Sequence, residues 1–223
     1  MFDRSFQAKL EPVWRATCRP LRALGVTPLQ LTLSGWILGL ISAWLIANHQ
    51  ESWALGALLL SRVCDALDGA LARQTRPTDS GGYLDLVLDF WFYAAIPLAF
   101  AWQSPDPNAL AAAALLAAYL LNATAWLTFT SLPASMHDAA TSRQAKSLAF
   151  LPSLTEGGET IAVYVAMCLW PVSFAPIAWG FAALCTGSAL WHTARSWRRL
   201  QSTQSQPLPP APSTESRRSD RGL

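Results

Sequence analysis

The chain has 223 residues, 52% of them hydrophobic and only 13% charged, with a formal net charge of +2 and a mean hydropathy of +0.25. Soluble domains carry about 25% charged residues, so a water-soluble globule of this size would lack the ionic side chains to cover its exterior. The four cysteines, Cys18, Cys64, Cys168 and Cys185, are too few and scattered for a disulfide scaffold. A membrane protein with several spans remains.

The first 24 residues are too polar for a span. Phe2, Phe6, Leu10, Val13, Trp14, Leu21 and Leu24 recur at three- and four-residue steps with basic residues between them. This predicts an amphipathic juxtamembrane helix lying on the anionic inner leaflet, bent at Pro12; a loose basic arm is the alternative. A bilayer-spanning helix needs about 20 mostly apolar residues, and six such segments follow, near 28–48, 52–73, 82–103, 108–131, 147–170 and 173–194. The fifth contains Glu156 and Glu159. The apolar run from Ile161 to Trp170 is roughly half a span, so a crossing helix has to begin near Ser147 and carry both glutamates inward. Beyond the sixth span the chain is rich in Ser, Pro, Gln and Arg, which predicts a disordered cytosolic tail over 198–223. No internal repeat is visible.

The charges support this count independently. Arg4, Lys9, Arg15, Arg19 and Arg22 precede the first span; Arg73 and Arg76 end the second; Arg143 and Lys146 precede the fifth; and Arg195, Arg198 and Arg199 follow the sixth. The alternate turns, His49–Ser52, Gln103–Asn108 and Pro171–Ser173, have no Lys or Arg. Positive loops mark the cytosolic side, so both termini are expected there. Tryptophans near span ends (Trp53, Trp102, Trp170, Trp191, Trp197) read as interfacial anchors. The expected fold is all-α, a polytopic membrane bundle of six transmembrane helices over 25–197 preceded by the amphipathic helix of 1–24.

Four carboxylates lie inside these spans. Each costs about 2.5–3.5 kcal/mol near the bilayer centre on an insertion scale, so intramembrane acids usually serve a function. Asp65 and Asp68 are three residues apart and Asp85 and Asp89 four apart, so each pair shares a helix face. An antiparallel hairpin about Pro77 sets Asp65 opposite Asp89 and Asp68 opposite Asp85, the deeper pair about 12 Å inside the helix ends. Four acids in such proximity need cations. All-oxygen ligation favours Mg²⁺, Mn²⁺ or Ca²⁺ over zinc, and His49, His137 and His192 are too dispersed to form a zinc site. Two such metals commonly clamp a phosphoryl group during in-line displacement. Gly69, Ala70, Ala72, Gly81 and Gly82 beside the acids permit close approach of a ligand to backbone. The competing reading is structural, with Arg62, Arg73 and Arg76 neutralising the acids and the glycines serving helix packing.

These residues resemble a known signature. Asp65-Ala-Leu-Asp68-Gly69-Ala-Leu-Ala72-Arg73 followed by Gly81-Gly-Tyr-Leu-Asp85-Leu-Val-Leu-Asp89 is similar to the motif of the CDP-alcohol phosphatidyltransferases, D-x2-D-G-x2-A-R, about eight residues, then G-x3-D-x3-D. All eight signature residues are present, with one departure: seven residues rather than eight separate Arg73 from Gly81. The resemblance implies transfer of a phosphatidyl or similar group from a CDP-linked lipid such as CDP-diacylglycerol to an acceptor alcohol, with release of CMP. It implies two divalent cations, Mg²⁺ or Mn²⁺ with Ca²⁺ as a further possibility, held by Asp65, Asp68 and Asp85 together with Asp89, which also matches the general-base position. Asp65, Asp68, Gly69, Ala72, Arg73 and Gly81 match nucleotide-binding positions. A homodimer in a bacterial-type inner membrane, with the site opening to the cytosol and no nucleic-acid partner, is the expected setting.

Acceptor identity is not encoded so openly. Arg143 and Lys146, with Arg76, suit a phosphorylated acceptor but equally express positive-inside topology. Glu156 and Glu159 suit a polyol or amine pocket, or a pairing with Arg62. Two other functions use intramembrane acids: a cation transporter and a prenyltransferase with Asp-rich motifs. The apolar outer halves of spans two and three and the missing repeat argue against the first. The close linkage of both motifs on one hairpin argues against the second.

Overall fold

The computed structural model describes residues 17–75, 77–131 and 157–204. Among them are a short helical stretch at 17–23 and six longer α-helices: α1 Pro28–Ala47, α2 Glu51–Gln74, α3 Asp79–Gln103, α4 Pro105–Ser131, α5 Gly157–Leu169 and α6 Phe174–Gln204, with a 3-10 turn at Pro171–Ser173. No strand occurs among the described residues, in keeping with the all-helical expectation.

Four helical segments are long and apolar enough to cross a bilayer: Pro28–Ala47, Asp79–Gln103, Pro105–Thr128 and Pro171–Arg198. The expected second span does form a helix of 24 residues, about 36 Å long. It is not among the four because every stretch of it long enough to cross contains Arg62, Asp65 and Asp68. Of the expected fifth span, only the 13 residues Gly157–Leu169 are described as helix, and 147–156 lie outside the described residues. At the amino end only 17–23 are described as helical, so the rest of the expected amphipathic segment is likewise outside. At the other end α6 runs to Gln204, past the expected start of the tail.

Local chemistry accounts for the helix boundaries. Thr27 caps α1 in a reciprocal box with Gln30, and Pro28 fits the first turn because its missing N–H has no partner to lose. Thr78 caps α3 by accepting a hydrogen bond from the Gly81 N–H at 3.2 Å. Inside α3, Pro97 cannot donate to the Tyr93 carbonyl one turn earlier. The Tyr164 hydroxyl of α5 donates to that carbonyl instead, at 2.8 Å. In hydrocarbon a freed backbone group needs such a partner, so this bond both satisfies α3 and fastens α5 to it.

The packing is organised by α1. Both α2 and α3 lie along it, whereas the backbones of α2 and α3 scarcely approach each other; α4 packs on α3 and α6, and α5 on α2. Gly35 and Gly39 make the close approach possible. A Cβ at Gly35 would sit 3.1 Å from the Ser61 carbonyl oxygen of α2, and one at Gly39 would sit 2.6 Å from a Phe92 ring carbon of α3. This is the small-xxx-small logic of membrane helix packing. Ser61 Oγ donates to the Gly35 carbonyl at 2.7 Å, and Ser42 Oγ donates to the Ala54 carbonyl at 2.8 Å, two polar ties between α1 and α2.

The main core fills the bundle at the end remote from the α2–α3 turn. Ile46, Leu58, Ile96, Leu115, Tyr164 and Met167 are buried there with the stacked pair Phe100 and Phe174, whose rings lie 4.6 Å apart. A smaller cluster near the turn joins Cys18 to Leu67, Ala70 and Leu71, so the 17–23 segment rests against the second half of α2. The five tryptophans read as interfacial anchors are all exposed on the bundle, as lipid-facing aromatics should be.

Candidate active site

Asp65 and Asp68 project from the third-last and second-last turns of α2, and Asp85 and Asp89 from the first half of α3. Counted from the helix ends, Asp68 and Asp85 are each about 9 Å in and Asp65 and Asp89 about 14–15 Å. One carboxylate oxygen each from Asp65, Asp68 and Asp85 lies within 4.8 Å of the others. Because α2 and α3 diverge onto α1, the acids meet across a cleft rather than through packed backbone. Thr32, Gly35 and Trp36 of α1 line this cleft with Arg62, Asp65, Asp85, Leu88 and Asp89.

The arrangement fits a divalent cation. Asp68 is 5% exposed, and its Oδ2 has no hydrogen-bond partner despite being buried. A buried carboxylate oxygen left unsatisfied is costly and calls for a ligand. Three carboxylates in reach of one another supply the hard, anionic oxygen set that Mg²⁺, Mn²⁺ and Ca²⁺ prefer.

Asp89 is placed differently. Its Oδ1 accepts a hydrogen bond from Arg62 Nη1 at 3.0 Å, and the same nitrogen lies 3.7 Å from Asp65 Oδ1. Of the arginines in the structural reading, Arg62 therefore does meet two of the acids, while Arg76 lies outside the described residues. Of the glutamates considered as partners for Arg62, Glu156 lies outside the described residues.

The small residues of the motif are placed as follows. Arg73 folds back along α2, so that a Cβ at Gly69 would come 3.2 Å from its Nη1; a larger residue there would displace the guanidinium from that face. A Cβ at Gly81 would come 2.9 Å from the capping Thr78 Oγ1, so glycine protects the start of α3. Ala72 is half-buried one turn from Gly69. Of the acceptor candidates, Arg143, Lys146 and Glu156 lie outside the described residues. Glu159 is exposed in the first turn of α5 and is not among the residues lining the cleft.

Sequence reasoning missed the contribution of α1. Thr32, Gly35 and Trp36 reach the cleft, and the Trp36 indole N–H is buried without a partner, its ring stacked on Trp91 at 5.2 Å. The Gly35-x-x-x-Gly39 spacing was the available signal.

Residues 25–191 match the sequence model of the CDP-alcohol phosphatidyltransferase family. The chain belongs to that family. It is similar to the inner membrane protein YnjF of Escherichia coli, with 39% identity over 206 residues, 92% of this chain and 100% of that protein. A more local match, 38% over 72 residues, is to the archaetidylinositol phosphate synthase of Pyrococcus horikoshii, covering 32% of this chain and 38% of that enzyme. Among solved structures, the fold resembles Mycobacterium tuberculosis phosphatidylinositol phosphate synthase with CDP-DAG bound (TM-score 0.61, 16% identity, 85% of this chain and 94% of that one). The same enzyme in complex with manganese and citrate gives a TM-score of 0.61 at 17% identity, over 83% and 88% of the two chains. At these identities the likeness is one of fold. The protein is thus an integral membrane transferase of phospholipid biosynthesis, with an aspartate cluster suited to metal.

Proposed function

We propose that this CDP-alcohol phosphatidyltransferase moves a phosphatidyl group from CDP-diacylglycerol or a closely related CDP-linked lipid to an acceptor alcohol and releases CMP. The observation that carries the reading is the meeting of Asp65, Asp68 and Asp85 within 4.8 Å around a buried, unsatisfied Asp68 oxygen, on a chain whose family acts on CDP-alcohols. The neighbouring fold with CDP-DAG bound supports the donor class, and its manganese complex supports a divalent cation.

In this reading Asp65, Asp68 and Asp85 would chiefly hold Mg²⁺ or Mn²⁺, with Asp89 beside them, in the two-ion arrangement the motif implies. Bound there, the metal supplies Lewis-acid stabilisation of the diphosphate and of the leaving CMP. The protein's own groups do the rest. Gly69, Ala72 and Gly81 leave room for the nucleotide against backbone, and Arg73 lies along the same face for the diphosphate. Asp89 takes the proton of the acceptor hydroxyl as its oxygen attacks the lipid-side phosphorus and the bond to the CMP oxygen breaks. A site one to two turns inside the helix ends lets the acyl chains stay in hydrocarbon while the nucleotide meets water.

We further assign six crossings to the chain, α2 and the full fifth segment included, with both termini and the α2–α3 turn cytosolic in a bacterial-type inner membrane. The Lys/Arg distribution and the inner-membrane relative support this. The domain runs over 25–197, and the assembly is a homodimer. Arg143 and Lys146 remain our candidates for binding a phosphorylated acceptor, and Glu156 and Glu159 our candidates for a polyol or amine pocket, on their residue types and sequence positions alone. The test is a panel assay in phospholipid vesicles: CDP-diacylglycerol, Mg²⁺ or Mn²⁺, and glycerol 3-phosphate, inositol, inositol phosphate or serine in turn. One acceptor is expected to drive CMP release and to appear in the lipid product. Equal CMP release without any acceptor, or none with the full panel, would refute the transferase assignment.

A further inference from the structure

Trp36 of α1 lines the cleft beside Thr32, Gly35, Arg62 and Asp89, and neither the motif nor the metal chemistry uses it. Its indole N–H is buried with no hydrogen-bond partner among the described residues. A buried Trp N–H usually finds a partner, and a donor left unpaired at membrane depth is costly. The ring is held in place: it stacks on Trp91 of α3, with centroids 5.2 Å apart and planes inclined by 29°. Its chain neighbour Gly35 is pressed against α2, where a Cβ would lie 3.1 Å from the Ser61 carbonyl oxygen. A second unpaired donor at the cleft, Arg62 Nε, differs in belonging to a guanidinium already held by Asp89 and Ser61. Trp36 lies eight residues into α1 from Pro28, and Trp91 twelve residues into α3 from Asp79. These steps place them about 12 and 18 Å inside the helix ends that flank the α2–α3 turn. The stack thus begins near the level of Asp65 and Asp89 and reaches inward past them, ending on Trp91, which is 59% exposed on the bundle.

We propose that Trp36 is a specificity-determining residue for the lipid donor, its indole N–H donating a hydrogen bond to an ester carbonyl of the diacylglycerol part. The proposal deepens the transferase reading above and rests on it. The order of groups along such a donor carries the assignment: nucleotide, diphosphate, glycerol, ester carbonyls, acyl chains. With the diphosphate at the carboxylates, the next strong acceptors toward the hydrocarbon are the ester carbonyls, and that is the level of the stack. An indole N–H donates and cannot accept, so a carbonyl is its complement. The aromatic pair then meets the acyl chains with its faces and the ester with its polar edge. A donor with ether-linked chains has no carbonyl to offer and leaves the N–H unpaired, which such a site rejects.

The experiment compares CDP-diacylglycerol with ether-linked CDP-dialkylglycerol of the same chain length, by CMP release in vesicles with metal and the acceptor that the panel assay identifies. In the native protein the ether donor should show a KM about 3–10-fold higher, the size of one hydrogen bond, with the difference falling on KM rather than kcat. Trp36→Phe keeps a ring against Trp91 and removes the N–H. It should raise the KM of the ester donor by that factor and leave the KM of the ether donor where it was, so that the preference disappears. Replacing Trp36 by 3-benzothienylalanine, which keeps the indole shape with sulfur in place of N–H, should do the same and decides the matter if the Phe variant folds poorly. Equal KM values for the two donors in the native protein would overturn the proposal. So would a preference that survives both replacements, or an equal rise in KM for both donors, the sign of a bond to phosphate or of lost packing. Absence of CMP release with every acceptor would instead remove the transferase reading on which the proposal stands.

Discussion

The two halves of the α2–α3 pair face different neighbours. Remote from their turn, Ala54 and Leu58 of α2 and Ile96, Ala99 and Phe100 of α3 are buried with α4, α5 and α6 in a continuous apolar core, and the Gln103 side chain of α3 hydrogen-bonds Glu51 of α2. Near the turn, the same helices carry four acids and Arg62; Asp65, Asp85, Asp89 and Arg62 line an open cleft whose third wall is α1, and Asp68 is buried beside it. The difference teaches a division of labour along the helix axis. The remote half fixes the spacing of α2 and α3, and the near half uses that spacing to set carboxylates a metal's width apart. Gly35 and Gly39 couple the two halves, since they let α1 seat both helices at once.

The comparison predicts that substitutions in the near half abolish chemistry without unfolding, whereas those in the remote half do the reverse. The largest effect should come from Asp65→Asn, Asp68→Asn or Asp85→Asn. Each is expected to reduce CMP release to background and to weaken Mn²⁺ binding, with helix content by circular dichroism unchanged; chelation should do the same to the native protein and be reversed by adding metal. Near-normal turnover and metal affinity in any two of these variants would break the metal assignment.

Asp89→Asn should cost about 10²–10⁴-fold in turnover, or roughly 3–5 kcal/mol of barrier, while donor and metal binding stay close to native. Measuring all three quantities beside Asp85→Asn sharpens the contrast within the near half. Equal losses of metal affinity in the two variants would make Asp89 another ligand.

In the remote half, Phe100→Ala removes a fully buried ring stacked on Phe174. Lipid is as apolar as this core, so the loss is of packing rather than of desolvation. At about 24 cal/mol per Å³, a void on the order of 100 Å³ costs about 2 kcal/mol. A lowered thermal midpoint in detergent, with activity per folded molecule retained, is the expected result. Tyr164→Phe should have the smallest effect, roughly 0.5–1.5 kcal/mol, through loss of the bond to the Tyr93 carbonyl freed by Pro97. Greater loss of activity than of stability in Tyr164→Phe would show that the halves are not separable.

Much of the near half was legible in the sequence because intramembrane acids have few cheap explanations. The three-residue step of Asp65 and Asp68 and the position of Asp85 set the depth of the cluster, and the structure brings those three together. The hairpin picture did not anticipate that α2 and α3 diverge, because pairing them by residue number assumes contact, whereas Gly35 and Gly39 draw each helix onto α1 instead. That Arg62 neutralises some of these acids was legible as the competing reading; that it meets Asp89 and Asp65 in particular was not, since an arginine one turn from Asp65 has several acids within its reach and its packing on Phe92 and Ser61 decides among them. Segment lengths were read well where composition was uniform, as in α1 and α4. Hydropathy alone leaves α2 out of the candidate spans, because Arg62, Asp65 and Asp68 fall in every stretch of it long enough to cross.

The most direct test of the account is a metal titration of CMP release from CDP-diacylglycerol, run in parallel on the native protein and on Asp68→Asn in the same vesicles. The account predicts that release by the native protein rises from background with Mn²⁺ or Mg²⁺ to saturation, and that Asp68→Asn stays at background over the same range. Release that is equally fast in excess chelator, or equally metal-dependent in Asp68→Asn, would contradict it.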